Sequence, residues 1–212
     1  MSYKTLRPFI LSALVLLVMS TIGILLFKEF QTPVRPPITG IESSPPVHSA
    51  PISPEAKAGY RVAPTAPKYL RISSLNIDAM VISVGTTDKN TIDAPKTAWE
   101  VGWYTGSVSP GTKGTVLIDG HVNDAFGTPG IFYNLQNLHE GEELSITRGD
   151  GAEFFYTVSR IVQKPLEQVD MKELLQPVFG DEGLNLITCG GTYDRETGAY
   201  SDRVLVFAKR SR

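Results

Sequence analysis

Three residue types in this chain are suited to nucleophilic chemistry: a thiol, an imidazole and a guanidinium. The thiol is Cys189, the only cysteine, at the mouth of the apolar run Leu184-Asn185-Leu186-Ile187-Thr188-Cys189 and just before Gly190-Gly191. That run reads as a strand entering a Gly-Gly break. Twelve positions after Gly191 a second run, Arg203-Val204-Leu205-Val206-Phe207-Ala208, begins. Two strands joined by one loop are most simply antiparallel neighbours, which sets Arg203 near Cys189. Opposed residues in such a ladder have Cβ atoms about 5 Å apart. A guanidinium at that range favours the thiolate, which is the nucleophilic form. A base is needed as well, and His121 follows the strand Thr115-Val116-Leu117-Ile118-Asp119 at a similar strand end.

Each of the three also has a plainer reading. Free cysteine is among the most buried residue types and packs as a small hydrophobe. His121 suits a loop after a glycine, and Arg203 an edge charge for which an ion pair with Asp202 is worth little. Their joint placement at strand ends sets them apart, because loops at the rim of a rigid barrel are where active sites lie. His48 and His139 fall in a proline-rich stretch and an acidic surface turn, and neither is given a role.

The elements that must position these residues are short strands. Strands are expected over 69–73, 80–84, 99–104 and 115–119, then in a 143–148/153–163 hairpin turning at Gly149-Asp150-Gly151, and finally at 184–189 and 203–208. The Arg-Gly-Asp triplet in that hairpin reads as turn chemistry. Residues 129–138 are expected to form one short helix with Phe132, Leu135 and Leu138 on one side, and 166–175 a second. Eight short strands with scarce helix predict a mainly β chain, closed or nearly closed into a barrel.

The 212 residues carry a net charge of -2, so no basic excess points to nucleic acid. A single cysteine excludes an internal disulfide framework and a cysteine-rich zinc site. Before the barrel come two different stretches. Phe9 to Phe27 is uncharged and apolar, close to the roughly 20 residues that span a bilayer as a helix. Lys4 and Arg7 ahead of it favour a cytoplasmic N-terminus. No small-residue cleavage site follows, so residues 1–30 are expected to be a tail and uncleaved signal anchor, with the rest extracellular. Nine of the fifteen prolines fall in 31–67, which is expected to be a disordered tether. The folded domain is expected to run from 68 to 212.

Leu186-Ile187-Thr188-Cys189, with Arg203 downstream and Gly120-His121 upstream, resembles the signature of the sortases, membrane-anchored cysteine transpeptidases of mostly Gram-positive surfaces. The likeness extends from Lys68 to Lys209. Leu70-Arg71-Ile72, Asn76-Ile77-Asp78-Ala79, Val101-Gly102-Trp103-Tyr104, Gly120-His121-Val122-Asn123, Ile131-Phe132-Tyr133-Asn134-Leu135 and Tyr200-Ser201-Asp202-Arg203 resemble the class F branch in particular. Two positions depart from the pattern. Asn185 stands where threonine is usual, a change expected to be harmless. Asp119 stands where a small residue is usual before Gly-His, a change expected to alter the electrostatics near His121.

The resemblance implies a sortase-type eight-stranded barrel with catalytic residues His121, Cys189 and Arg203. The backbones of Thr188 and Gly190 would line the peptide groove. It implies cleavage of an LPxTG-like sorting signal through a thioacyl enzyme, and transfer to an amine such as that of a peptidoglycan precursor. It implies no metal and no organic cofactor. Two alternatives stay open. One is another cell-wall cysteine enzyme, although papain-like enzymes place cysteine before histidine and the Ser-His-Gly of the L,D-transpeptidases is absent. The other is a non-catalytic tethered barrel that binds a surface partner.

Overall fold

The computed structural model describes residues 52–88, 91–177 and 180–211. The apolar run at 9–27 and most of the proline-rich stretch lie outside them. Among the described residues no helix is long and apolar enough to cross a membrane.

Eight strands close into a barrel. They are β1 (Pro67–Ile72), β2 (Ile77–Val84), β3 (Val101–Tyr104), β4 (Gly114–Gly120), β5 (Glu143–Arg148), β6 (Glu153–Pro165), β7 (Glu182–Asp194) and β8 (Ala199–Arg210). Around the wall they run β1-β2-β3-β4-β7-β8-β6-β5, and β5 pairs back onto β1. Two pairings are parallel, β2 with β3 and β4 with β7. Parallel neighbours need a crossover connection. The long 85–100 segment makes the first crossover, and 121–181, which includes β5 and β6, makes the second.

Alternation along the strands sorts the apolar residues into two groups. Val116 and Ile118 of β4, Leu184 and Leu186 of β7, and Val204 and Val206 of β8 point inward to the main core. Leu117, Leu205 and Phe207 point outward and would face water if nothing covered them. The β6–β7 connection does so: its short helix α2 (Met171–Leu174) lays the buried Leu174 on them, with Met171 and Val169 alongside. Asn185 is 1% exposed, and its Nδ2 donates to the Leu174 carbonyl at 2.9 Å. At this departure from the usual threonine the asparagine is therefore a buried fastening for α2.

Three local expectations are corrected. Residues 129–138 form no α-helix. The hydrogen bonds at Tyr133, Leu135, Asn137 and Leu138 all run to the residue three before, and only Leu135–Asn137 makes a 3₁₀ turn. Phe132, Leu135 and Leu138 are nevertheless buried as anticipated, filling the barrel core. The stretch 166–175 divides into a 3₁₀ turn (Leu166–Gln168) and α2. The Gly190-Gly191 pair does not end β7. It is a bulge, with Gly191 at φ 76°, after which the ladder resumes at Tyr193 opposite Tyr200 and Asp194 opposite Ala199. A Cβ at Gly191 would lie 2.3 Å from Ser201 Oγ, so only glycine lets the two strands stay together there.

The boundary expected at 67/68 also moves. Helix α1 (Pro54–Gly59) is capped by Ser53, whose Oγ accepts from Ala56 N at 3.2 Å. The segment after it docks on the barrel wall. Tyr60 Oη donates to Val81 O at 2.6 Å, Tyr69 Oη donates to Lys57 O at 2.6 Å, and Lys57 pairs with Asp78. Gly149 N and Asp150 N donate to Ala66 O and Pro64 O. Proline-rich composition did not keep these residues off the domain, because β1, β2 and the β5–β6 turn offer side-chain and main-chain partners for them.

Candidate active site

Cys189 stands directly opposite Arg203 in the β7–β8 ladder, the pairing expected from one loop between two strands. Both lie within the strands, because β7 and β8 continue beyond them. The site is thus on the outer face of the wall, where alternation points residues 189 and 203 away from the inward Thr188 and Val204. Cys189 and Arg203 are half-buried.

His121 is brought level with Cys189 by the parallel β4–β7 pairing. The last pair of that ladder is Asp119 with Ile187, and two residues further along each chain are His121 and Cys189. Thr188 holds the two strands together at this point. It is 3% exposed, and its Oγ1 donates to Gly120 O at 2.7 Å, immediately before the histidine. The Thr188 side chain is thus a strut to β4, which leaves only its backbone for any other contact. Gly190 stands opposite Asp202. A Cβ there would meet Val204 Cγ2 at 2.9 Å.

The imidazole is anchored from the β2–β3 connection. His121 Nε2 lies 2.7 Å from the carbonyl of the buried Pro95. A carbonyl can only accept, so Nε2 carries the hydrogen, and in the neutral ring Nδ1 is the basic nitrogen. The main chain at the histidine and the residue after it is held by Phe132 N to His121 O at 3.0 Å and Gly130 N to Val122 O at 2.9 Å. Two residues after the histidine, Asn123 Oδ1 accepts from Tyr200 Oη at 3.0 Å, which ties this loop to β8.

Electrostatics modify the simple picture of a thiolate made by its arginine. Burial pushes the Cys189 thiol up, Arg203 pulls it down, and Asp119 pushes it up again; the net shift is upward. Desolvation outweighs one partly solvated charge. At neutral pH the thiol is the resting form. Arg203 is turned by its own strand, with Nη1 donating to Tyr200 O at 3.3 Å and Asp202 O at 2.8 Å.

The structure therefore brings together all three residues expected to carry chemistry: Cys189 and Arg203 on adjacent strands, and His121 just past the end of β4 beside them. Pro95, Asn123 and the fastening role of Thr188 were not anticipated. Nothing local marks Pro95, whereas Asn123 and Tyr200 lie inside stretches already singled out. Among the described residues no cluster of His, Cys, Asp and Glu is arranged to hold a metal.

A sortase-domain family model matches residues 70–211. Comparison with curated proteins gives no match. Among solved structures, sortase C-1 from Actinomyces oris is 23% identical with a TM-score of 0.55, covering 82% of this chain and 92% of that one. A lid mutant of sortase A from Corynebacterium diphtheriae is 26% identical, with a TM-score of 0.53 and coverages of 74% and 76%. Sortase C1 of GBS pilus island 1 is 21% identical with a TM-score of 0.52; the match covers 68% of this chain but only 63% of the length of that one.

Proposed function

This chain belongs to the sortase family of cysteine transpeptidases, and on that premise we propose that it cleaves an LPxTG-like sorting signal and transfers the acyl group to an amine at the cell surface. The carrying observation is the register that sets Cys189 opposite Arg203 while His121 comes level from β4. Within the family, the motif likeness favours class F. The apolar stretch 9–27 would serve as a single-pass anchor with the barrel outside the cell. Sorting-signal peptides and an amine such as that of a peptidoglycan precursor are the proposed partners.

The chemistry runs in two halves. Cys189 Sγ, as thiolate, adds to the carbonyl carbon of the threonine in the Thr-Gly bond. Arg203 offers its donors to the oxyanion, a contribution whose loss typically costs roughly 10²–10³ in rate. The carbon–nitrogen bond then breaks, and the departing amine takes its proton from His121. In the second half an incoming amine attacks the thioester, gives a proton back to His121, and releases Cys189 as thiolate. Because the resting thiol is protonated, only the minor thiolate fraction reacts, and turnover should climb as pH rises towards the upward-shifted range of Cys189.

Incubating the full chain in detergent with a sorting-signal peptide library tests this by intact-protein mass spectrometry. A mass increase equal to the acyl fragment is expected, lost on adding an amine and absent in Cys189→Ala. Uncut peptides and an unmodified protein across the library would overturn the reading.

A further inference from the structure

Asp119, Cys189 and Arg203 share the outer face of the wall, since their neighbours Ile118, Thr188 and Val204 are buried inward. Along β4, Asp119 stands opposite Ile187, two residues before the level of the thiol. Across β3 it stands opposite Gly102. A Cβ at Gly102 would fall 2.2 Å from Asp119 Oδ1 and 2.9 Å from each Val84 methyl. The carboxyl therefore lies over the bare backbone of Gly102, in a slot that exists because that residue has no side chain. Oδ1 is sealed from solvent there and has no hydrogen-bond partner. A carboxylate in such a slot is costly, whereas the neutral acid is tolerated.

The charged and titratable groups around it come from each neighbouring element. Asp93 of the β2–β3 connection acts on it as a like charge. Cys189 acts from β7, His121 follows two residues on, and Arg203 lies beyond the thiol on β8. Tyr104, two residues after Gly102 on β3, packs in the outer apolar cluster. Gly102 and Val84 bring no charge.

We infer that Asp119 is a positioning residue that sets the charge beneath the nucleophile: as the neutral acid it leaves Arg203 unopposed at Cys189, and as the carboxylate it resists thiolate formation. Burial, first, and Asp93 together push its carboxyl up to about 8, against a smaller lowering by its own amide. The switch from acid to carboxylate thus falls where the thiol is beginning to ionise, so the two groups titrate as a pair. The inference rests on Cys189 being the nucleophile. It adds a second, opposing influence on that thiol, from a residue two positions before the histidine.

The test reads the thiol without using the peptide reaction. Alkylation of Cys189 by iodoacetamide is followed across pH 6–11 in the full chain, for wild type and for Asp119→Asn. The wild-type curve is expected to be broad and displaced to high pH. Asp119→Asn should titrate as a single group at lower pH and react about three- to ten-fold faster near pH 9. Superimposable curves would overturn the inference. Should the variant fail to fold, carbon-13 spectra of aspartate-labelled wild type still decide. One carboxyl should titrate in the weakly alkaline range, and its midpoint should fall once Cys189 is capped as a neutral thioether. If every aspartate titrates in the acid range, Asp119 has no such role. Either negative result would leave the peptide adduct at Cys189 unaffected, so it is distinguishable from failure of the transpeptidase reading.

Discussion

Cys189 on β7 and Arg203 on β8 are direct partners in the ladder, yet the guanidinium is held by main-chain carbonyls of its own strand, those of Tyr200 and Asp202. A positive charge opposite the thiol and a planar donor group fixed in orientation are separate properties. Lysine keeps the first and lacks the second, because its ammonium is a compact point charge on a flexible stem.

Arg203→Lys is accordingly expected to lose most peptide turnover, nearly as much as Arg203→Ala. Alkylation of Cys189 by a neutral reagent should change far less in the lysine variant. Comparing the two rates separates stabilisation of the transition state from activation of the thiol. Near-normal peptide turnover by Arg203→Lys would leave the arginine with a charge role only.

Thr188→Val removes the 2.7 Å bond to Gly120 O while keeping the shape of the side chain. The buried carbonyl is then left without that donor, at a cost of about 1–3 kcal/mol in stability. Because Gly120 precedes His121, activity should fall beyond what the lost stability explains. A denaturation curve alongside turnover of the still-folded fraction checks this. Full activity per folded molecule would mean that the bond braces the barrel without aligning the histidine.

The docked segment ahead of β1 predicts a difference between two truncations. A chain beginning at Ile52 keeps the Tyr60–Val81, Tyr69–Lys57 and Lys57–Asp78 contacts, whereas one beginning at Lys68 loses all three. Hydrogen bonds of this kind contribute about 1 kcal/mol each, partly offset by the entropy of ordering the segment. The shorter chain should therefore melt several degrees lower. Equal melting temperatures would show that the contacts merely balance their ordering cost.

Asp119 predicts a pH-dependent stability of definite sign. Burial pushes its folded carboxyl up to about 8 from an ordinary 3.8, so between those values the fold keeps a proton that the unfolded chain gives up. Its contribution is complete below the lower value, is lost as pH rises through the window, and levels off above the upper one. Asp119→Asn has nothing to lose. The stability gap in favour of the variant should widen from pH 4 to pH 8 by on the order of a few kcal/mol. Melting curves at several pH values measure it, and a constant gap would place Asp119 in an environment like water.

The amino-acid pattern alone determined the number of strands and their approximate places, since alternation and turn residues are local properties of the chain. It also determined the pairing of Cys189 with Arg203, because one short connection between two apolar runs leaves few ways to lay them side by side. The 3₁₀ turns at 135–137, the bulge at Gly190-Gly191 and the docking of 54–66 depended on surfaces supplied by distant segments. Phe132 and Leu135 are apolar at a helical spacing, but the barrel interior they fill takes them from tight turns as readily as from a helix. The same holds at the site. His121 was recognisable as a candidate base, but its proton-bearing nitrogen is chosen by a carbonyl 26 residues earlier. Asp119 was visible as an unusual residue, and its effect on Cys189 arises only when β3 brings Gly102 beneath it and β7 brings the thiol alongside. Burial and register are properties of the closed sheet, so the charge state of this site was decided by the tertiary structure.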